Sequence, residues 1–388
     1  MALIYTDTQQ EIREAVRRLC VGFSGDYWRE CDERGEYPEA FVAAMTEAGW
    51  LSALIPEEYG GSGLGVLEGC RILQEINRSG GNGASCHAQM YTVASILNHG
   101  SEEQKRKYLP RIADGSLKLQ AFGVTEPDAS SNTLAIKTFA RRTGDGYVIN
   151  GQKIWTSRYF QSHLYLLVAR TTPLAEVQRK TDGLSLFLVD IAKAGNSQRA
   201  TPIPTMLNNQ TNQVFIDDLL VSADDLIGEE GKGFHYLVDS LNSERLLVSS
   251  ESIGDGQWFV STASVYASDR NVFDRPIGAN EDVQFPIARA HEHHRRPTHA
   301  KQRRNAVGKR QSVRARDADD EVSRHRGILG GCRSVHDDVR RLRLCDRIPC
   351  RAQLEGGPSV PDSADCEQPR PCPGRPARPR HAKIVLIR

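Results

Sequence analysis

The sequence predicts an α+β protein with an N-terminal α-helical domain, a middle antiparallel β-domain and a C-terminal helical domain. Apolar residues recur at helical spacing through residues 1–115, and short β-rich runs replace them over 116–228. Helical spacing returns over 229–291. A chain of 388 residues is long enough for three such domains. Residues 292–388 fit none of them and are predicted to be a disordered tail.

The N-terminal domain is predicted from capping signals and apolar stripes. Thr8 with Glu11, and Ser101 with Gln104, have the spacing of a capping box, in which two side chains each accept from the other residue's backbone N–H. The first box precedes a helical apolar stripe. The second opens a helix that should end near Pro110, because proline has no backbone donor.

The middle domain is predicted from short β runs and one turn signal. Asn150-Gly151 lies between two apolar runs, and both residue types tolerate the positive φ of a tight hairpin turn. Residues 164–169, 184–189 and 214–221 read as further strands. After Gly231-Lys-Gly233, Phe234, Leu237 and Leu241 share one face of a helix.

The composition changes abruptly at Glu292. All 26 Phe, Trp and Tyr residues precede it, whereas 20 Arg, five of the nine Cys and half of the Pro follow it. Residues 292–388 carry 23 Lys plus Arg against 12 Asp plus Glu, and residues 1–291 carry 27 against 37. A basic segment of this kind suggests an acidic partner such as nucleic acid.

The remaining composition favours a cytoplasmic protein without a membrane span. The first residues lack a basic segment followed by an apolar run, so no secretory signal is expected. No apolar stretch reaches the roughly 18 residues of a membrane helix. An odd number of scattered Cys argues against a disulfide framework.

Four motifs occur in order along residues 1–291. They are Gly123-Val-Thr-Glu-Pro127, Gln152-Lys-Ile-Trp-Thr-Ser157, Ser243-Glu-Arg-Leu246 and Arg270-Asn-Val-Phe-Asp-Arg-Pro-Ile277. In order and spacing they resemble the acyl-CoA dehydrogenase family, over nearly all of this region. The resemblance implies FAD, α,β-dehydrogenation of an acyl-CoA in fatty acid metabolism, and electron transfer to an electron-transferring flavoprotein. It also implies a homo-oligomer, a tetramer or dimer.

The resemblance also implies roles for individual residues. Thr125 hydrogen-bonds the flavin ring, Trp155 shields one flavin face, and Ser157 bonds near N5 or the ribityl chain. Ser131 faces the diphosphate or the CoA arm. The full cofactor-binding set is Phe122, Val124, Thr125, Ser131, Trp155, Ser157, Arg270 and Phe273, of which the last two reach the FAD of a neighbouring subunit.

The catalytic base implied by the resemblance is Glu244. Some family members place this base near the C-terminus, and others place it on the helix within a Glu-Arg dipeptide, which Glu244-Arg245 matches. A carboxylate is needed there to take the α-proton of the substrate in a dry pocket. Arg245 either binds the CoA phosphate or pairs within the helix layer. The ordinary alternative for a glutamate on a helix is a solvated surface residue.

Several residues depart from the family pattern. The family usually has Gly-Ser-Asp where this chain has Ser130-Ser-Asn132, and the added Cβ at Ser130 should crowd a close backbone approach. Asp274 replaces a usual Gly, and Glu281 stands where a Gln commonly contacts the adjacent FAD. These changes are expected to weaken cofactor binding.

The tail has three competing interpretations. The first is a one-nucleotide slip near His291. Codons that encode residues 335–351, read one base later, can give C-M-T-T-F-G-G-F-G-F, which is similar to the family's flavin-contacting Gly-Gly-x-Gly-Phe segment. The second is a metal site, but His291, His293 and His294 lack a further ligand set at recognised spacing. The third is a nucleic-acid arm, but it lacks aromatic residues for stacking.

Two further functions therefore stay open beside the dehydrogenase. One is an inactive flavin-binding remnant, because a tail without aromatic residues cannot bury enough apolar surface to complete the C-terminal bundle. The other is a basic-tailed interaction protein. On the favoured interpretation the partners are an acyl-CoA and the electron-transferring flavoprotein, with neither nucleic acid nor a metal.

Overall fold

The computed structural model describes the backbone of residues 6–205 and 208–295 and the side chains of 6–205 and 208–291. The predictions for residues 296–388 lie outside this part of the chain. Within it the predicted fold class is confirmed: helices lead, a sheet follows, and helices return. None of the helices described here is both long and apolar enough to cross a membrane.

Six helices form the N-terminal domain. They are α1 (Asp7–Cys20), α2 (Gly25–Arg34), α3 (Glu39–Glu47), α4 (Val66–Arg78), α5 (Ala84–His99) and α6 (Glu102–Ala113). Buried apolar side chains of α1, α3, α4 and α5 form one core, which also includes Leu247 from the C-terminal helix. The N-terminal helices, which precede the sheet in the sequence, and the C-terminal helix, which follows it, therefore pack around a common core.

The helix ends test the capping predictions. The Ser101–Gln104 capping box is confirmed, since both of its reciprocal hydrogen bonds are present, at 3.0 and 3.1 Å. The Thr8–Glu11 box is wrong: Thr6 caps α1 and accepts from Gln9 N at 3.2 Å, which leaves Thr8 inside the first turn. Helix α6 continues past Pro110 to Ala113, because one missing backbone donor does not end a packed helix.

The middle domain is built on an eight-stranded sheet. Its strands are β1 (Ala121–Gly123), β2 (Phe139–Arg142), β3 (Gly146–Ser157), β4 (Leu164–Arg170), β5 (Leu184–Asp190), β6 (Gln198–Pro202), β7 (Thr211–Ser222) and β8 (Leu226–Ile227). Their order is β6-β7-β3-β2-β4-β5-β8, with β1 beside β4. Most neighbours are antiparallel, and β1 and β2 each run parallel to β4. The short helix α7 (Ile191–Ala194) follows β5.

The hairpin predicted at Asn150-Gly151 is wrong. Strand β3 runs unbroken through both residues and pairs with β2 and β7, with a register irregularity against β7 at this point. The Asn150 amide bonds Asp218 through two hydrogen bonds of 2.8 and 2.9 Å. A Cβ at Gly151 would collide with Thr138. The glycine therefore permits a close approach between chains rather than a turn.

The C-terminal domain begins with a single long helix. Helix α8 (Gly233–Asp269) has 37 residues, and a small hairpin of β9 (Asn271–Val272) and β10 (Arg275–Pro276) leads into α9 (Glu281–Arg295). Leu247 of α8 is fully buried against the N-terminal core. A Cβ at Gly254 would collide with the backbone carbonyl of Gln74, so this glycine lets α8 approach α4 closely. The close approach brings polar residues of α4, α5 and α8 together.

Candidate active site

One set of predicted site residues lies where β1 and β3 meet. Phe122 is on β1, and Val124 and Thr125 directly follow it. The Thr125 carbonyl accepts from Ile154 N at 2.9 Å, which holds the segment after β1 against the end of β3. Trp155 and Ser157 are at that end. The structure thus brings together five of the residues implied by the family resemblance.

A buried ion pair fixes this junction. Lys153 is completely buried, and its ammonium group donates to Glu126 Oε1 at 2.7 Å and to the Val124 carbonyl at 3.0 Å. The Glu126 carboxylate also accepts from the backbone N–H groups of Lys137, at 2.6 Å, and Thr138, at 3.0 Å. Such a network is stable because every buried charge has a partner. It locks the Val124–Thr125 segment in place.

The pKa values of the pair follow from burial and from each other. Burial lowers the pKa of Lys153 to about 8, although the Glu126 carboxylate opposes this shift. For Glu126 burial opposes ionisation, but the Lys153 charge and the backbone donors lower its pKa overall. The carboxylate is therefore held ionised. Sequence reasoning missed this pair, because 27 residues separate its members.

The junction has free groups of the kind that a flavin needs. Trp155 is 54% exposed at a positive φ of 63°, so its indole is presented outward rather than packed in the core. Neither the Thr125 nor the Ser157 hydroxyl hydrogen-bonds any residue in the described part of the chain. An outward aromatic face beside two unbonded hydroxyls fits a planar ring with polar edge atoms. FAD fits the residues that are present.

The predicted base faces the helical side of this junction. Glu244 is partly buried on α8, and the Tyr91 ring on α5 lies 6.0 Å from the Phe122 ring on β1. Burial raises the pKa of Tyr91, and the Glu244 charge raises it further, so the two groups are close enough to interact. Glu244 and the flavin-side residue Phe122 therefore share a neighbour.

The pKa of Glu244 is also raised. The main cause is burial, which disfavours the charged form, and the negative charge of Glu251 adds to it. His87 and Arg245 oppose the shift. In the part of the chain that the structure describes, no hydrogen bond or ion pair holds this carboxylate in its charged form. An unpaired buried carboxylate with a raised pKa is suited to accept a proton.

Two further carboxylates lie along the same face of α8. Glu251 and Asp255 follow Glu244 by seven and eleven residues, a spacing that keeps all three on one face. The imidazole Nδ1 of His87 lies 2.9 and 3.0 Å from the two Glu251 oxygens. Asp255 accepts from the Asn77 amide at 2.9 Å, and burial raises its pKa to about 8. Carboxylates at helical spacing were a signal in the sequence that could have found this row.

The other predicted residues are all exposed. The exposed Arg245 donates to Asn242 Oδ1 at 3.0 Å on its own helix. Arg270 and Phe273 lie in the segment after α8, and Phe273 is 94% exposed. Ser131 is exposed in the segment before β2, and Glu281 is the exposed first residue of α9.

Two of the residues that depart from the family pattern have a left-handed backbone conformation. Ser130 has φ +48° and Asp274 has φ +60°, both in the left-handed region that favours glycine. These are the two positions where the family usually has glycine. The chain therefore keeps a glycine-like conformation with side chains that strain it.

The acyl-CoA dehydrogenase family accounts for this architecture. Its N-terminal domain model matches residues 6–116, its middle domain model 121–219 and its C-terminal domain model 231–293. The chain belongs to the acyl-CoA dehydrogenase family, a class of oxidoreductases and flavoproteins. The resemblance to this family that the four sequence motifs indicated is therefore confirmed.

Individual relatives agree with this assignment. The chain is 32% identical over 299 residues to acyl-CoA dehydrogenase fadE12 of Mycobacterium bovis, which covers 75% of this chain and 74% of the relative. It is 34% identical over 289 residues to cyclohex-1-ene-1-carbonyl-CoA dehydrogenase of Syntrophus aciditrophicus, covering 73% and 68%. These relatives support acyl-CoA dehydrogenation as the general reaction.

Solved structures share the fold. A glutaryl-CoA dehydrogenase in complex with glutaryl-CoA superposes with a TM-score of 0.83 at 24% identity, covering 92% of this chain and 91% of that one. An acyl-CoA dehydrogenase of Geobacillus kaustophilus gives a TM-score of 0.80 at 25% identity, covering 92% and 94%.

Proposed function

We propose that this protein catalyses FAD-dependent α,β-dehydrogenation of an acyl-CoA thioester, with Glu244 as the base that takes the α-proton. The observation that carries the proposal is the environment of Glu244. It is a partly buried carboxylate with a raised pKa, and it interacts with Tyr91, whose ring lies 6.0 Å from the Phe122 ring. A base of this kind gains proton affinity from burial without an ion pair that would tie up its charge.

The β-domain residues supply the other half of the site. FAD, when bound, supplies the acceptor for the hydride that leaves the β-carbon. Trp155 would cover one ring face, and Thr125 and Ser157 would offer their free hydroxyls to its edge. Phe122 and Val124 would line the ring, with Ser131 near the diphosphate or the CoA arm. The Lys153–Glu126 pair orients these residues, because it fixes the segment on which they lie.

The partners follow from the same proposal. Arg270 and Phe273 are both exposed on their own chain, which supports a role at the FAD of a neighbouring subunit in a tetramer or dimer. Arg245 is exposed and is proposed to meet the CoA phosphate. The reduced cofactor would pass its electrons to an electron-transferring flavoprotein, and a cytoplasmic location remains a prediction.

The tail is proposed to result from a one-nucleotide slip near His291. The C-terminal family model stops at residue 293, and the composition changes at the same point. Sequencing the codons for residues 284–296 from an independent template tests this proposal. A one-base difference that restores the family's frame is expected. Identical bases in every template would mean that the written tail is the true product.

Flavin absorbance tests the function itself. The purified protein should be yellow, and a series of acyl-CoA thioesters without oxygen should include one that bleaches it. An inactive flavin-binding remnant would be yellow and unbleached by every thioester. A basic-tailed interaction protein would be colourless after reconstitution with FAD.

A further inference from the structure

Two arginines of the described chain are almost fully buried, but only one of them has hydrogen-bond partners for its guanidinium. Arg158 and Arg170 are each 3% exposed. The Arg170 guanidinium donates to the Leu134 carbonyl at 2.6 Å and to the Ile136 carbonyl at 3.2 Å. The Arg158 guanidinium makes no hydrogen bond or ion pair with any residue that the structure describes. Arg158 is therefore a buried cation without a partner.

An unpartnered buried guanidinium is costly, and the backbone of Arg158 adds to that cost. Five N–H donors leave water on folding without a protein acceptor, which is unfavourable unless a ligand completes the site. Arg158 also has φ +57°, a left-handed conformation that a residue with a Cβ adopts only under constraint. Burial lowers its pKa, opposed by Tyr37, Tyr91, Cys86 and Glu251.

Arg158 directly follows the candidate flavin residue Ser157 in the chain, and its guanidinium interacts with charged and polar groups of the helices. Tyr91 interacts with both Arg158 and the proposed base Glu244. Cys86 and Tyr91 lie on α5, and Glu251 lies on α8, so the guanidinium faces the helices. The Glu251 carboxylate, which interacts with Arg158, is already engaged, since His87 Nδ1 lies within 3.0 Å of both of its oxygens.

We propose that Arg158 binds a carboxylate at the far end of the acyl group, so that the preferred substrates are acyl-CoA thioesters of dicarboxylic acids. The inference rests on the proposed function, because it requires an acyl-CoA whose thioester end is bound at Glu244. Guanidinium and carboxylate match in charge and in planar, two-pronged geometry. The acyl carboxylate would supply the acceptors that the protein interior lacks.

The proposal predicts strong discrimination between acyl groups of equal length. A methyl-ended acyl group leaves the guanidinium unpaired, and a site built to hydrogen-bond its ligand rejects such an analogue. We expect a preference on the order of 100-fold in kcat/KM for the carboxylate-ended acyl group. An apolar pocket alone would favour the methyl-ended group.

The experiment compares glutaryl-CoA with pentanoyl-CoA, and adipyl-CoA with hexanoyl-CoA, by the rate of flavin bleaching. The native protein should prefer the first of each pair. Arg158→Met should lose most of that preference, through a fall in kcat/KM on glutaryl-CoA that exceeds any fall on pentanoyl-CoA. Arg158→Lys should keep part of the preference, and Arg141→Met, an exposed arginine on β2, should leave it unchanged.

Four outcomes would overturn the inference, and only one of them also rejects the proposed function. Bleaching by pentanoyl-CoA without a preference for glutaryl-CoA rejects the role of Arg158 and leaves the dehydrogenase intact. An equal loss on both substrates in Arg158→Met assigns a merely structural role. No bleaching by any of the four thioesters, when another acyl-CoA of the series does bleach the protein, rejects the role of Arg158 alone, whereas no bleaching by the whole series rejects the proposed function as well. If Arg158→Met does not retain FAD, the native preference and Arg158→Lys decide.

Discussion

Buried charge is handled in opposite ways on the two sides of the candidate active site. In the β-domain, Lys153 and Glu126 are paired at 2.7 Å, and backbone groups satisfy the remaining carboxylate oxygen. On α8, Glu244 and Asp255 have no cation at ion-pair distance within the described chain, and burial raises the pKa of both. The paired charges of the β-domain stabilise the fold, whereas the unpaired carboxylates of α8 remain available to take up a proton.

Breaking the buried Lys153–Glu126 pair should have the largest effect on the folded state. Lys153→Met leaves the Glu126 charge buried and unpaired, which should cost about 3–5 kcal/mol in the free energy of unfolding and release FAD. Urea unfolding and flavin absorbance measure both effects. Adding Glu126→Gln should recover part of the loss. The control is Lys137→Met, which removes an exposed pair with Asp128. An equal cost for both lysines would contradict the role assigned to the buried pair.

The unpaired Glu244 on α8 should make the rate of the reaction depend on pH. Glu244 acts only when ionised, so the bleaching rate should rise with pH, about tenfold per unit below its pKa in the complex. Because burial raises that pKa, the midpoint should lie above the usual 4.5. Stopped-flow bleaching across the pH range checks this, with flavin absorbance before mixing as the control for cofactor loss. A rate that falls with pH would exclude Glu244 as the base.

Asp255, which is also on α8, should make the free energy of unfolding depend on pH. Its folded pKa, about 8, lies above the ordinary aspartate value of 3.8, so the neutral form is favoured by the fold. That stabilisation is complete below the unfolded pKa and is lost as pH rises through the folded pKa. Asp255→Asn cannot ionise, so it should gain on the order of 4 kcal/mol over the native protein between pH 5 and 9, about 1.4 kcal/mol for each pH unit up to the folded pKa.

Unfolding by urea at several pH values measures this gain. Asp269→Asn, at the end of α8, provides the matched control and should show no change over the same range. A constant difference between Asp255→Asn and the native protein at every pH would reject the assigned shift.

The smallest effect should come from the strained backbone at Ser130. Ser130 has φ +48°, so Ser130→Gly should raise the free energy of unfolding by about 1 kcal/mol and tighten FAD binding. The control is Asn132→Gly, where φ is −85° and glycine only adds disorder to the unfolded chain. Thermal unfolding of both variants tests the difference. Destabilisation of both would show that the Ser130 backbone is not strained.

The sequence supported the fold because its signals are local. Capping at Ser101 and the apolar strands around residues 164–169 and 184–189 depend on residues close in the chain. The Asn150-Gly151 signal failed for the opposite reason. The conformation of its glycine is set by Thr138 and β7, which are distant in the chain. No local sequence pattern indicates such contacts.

The site was only partly predictable for the same physical reason. The family motifs led to Glu244, Trp155 and their neighbours, whose roles remain predictions. The Lys153–Glu126 pair and the unpartnered Arg158 depend on how β1, β3 and α5 meet, which residue spacing does not encode. Glu251 and Asp255 were accessible in principle, because they repeat the helical position of Glu244.

The rate of flavin bleaching in Glu244→Gln tests the central claim most directly. Glutamine keeps the shape of the side chain but cannot take the α-proton, so the protein should stay yellow and bleach at least about 1,000-fold more slowly. Glu47→Gln, an exposed matched substitution on α3, should bleach at the native rate. Bleaching of Glu244→Gln at the native rate would contradict the account, as would loss of its colour, which would assign Glu244 a structural role instead.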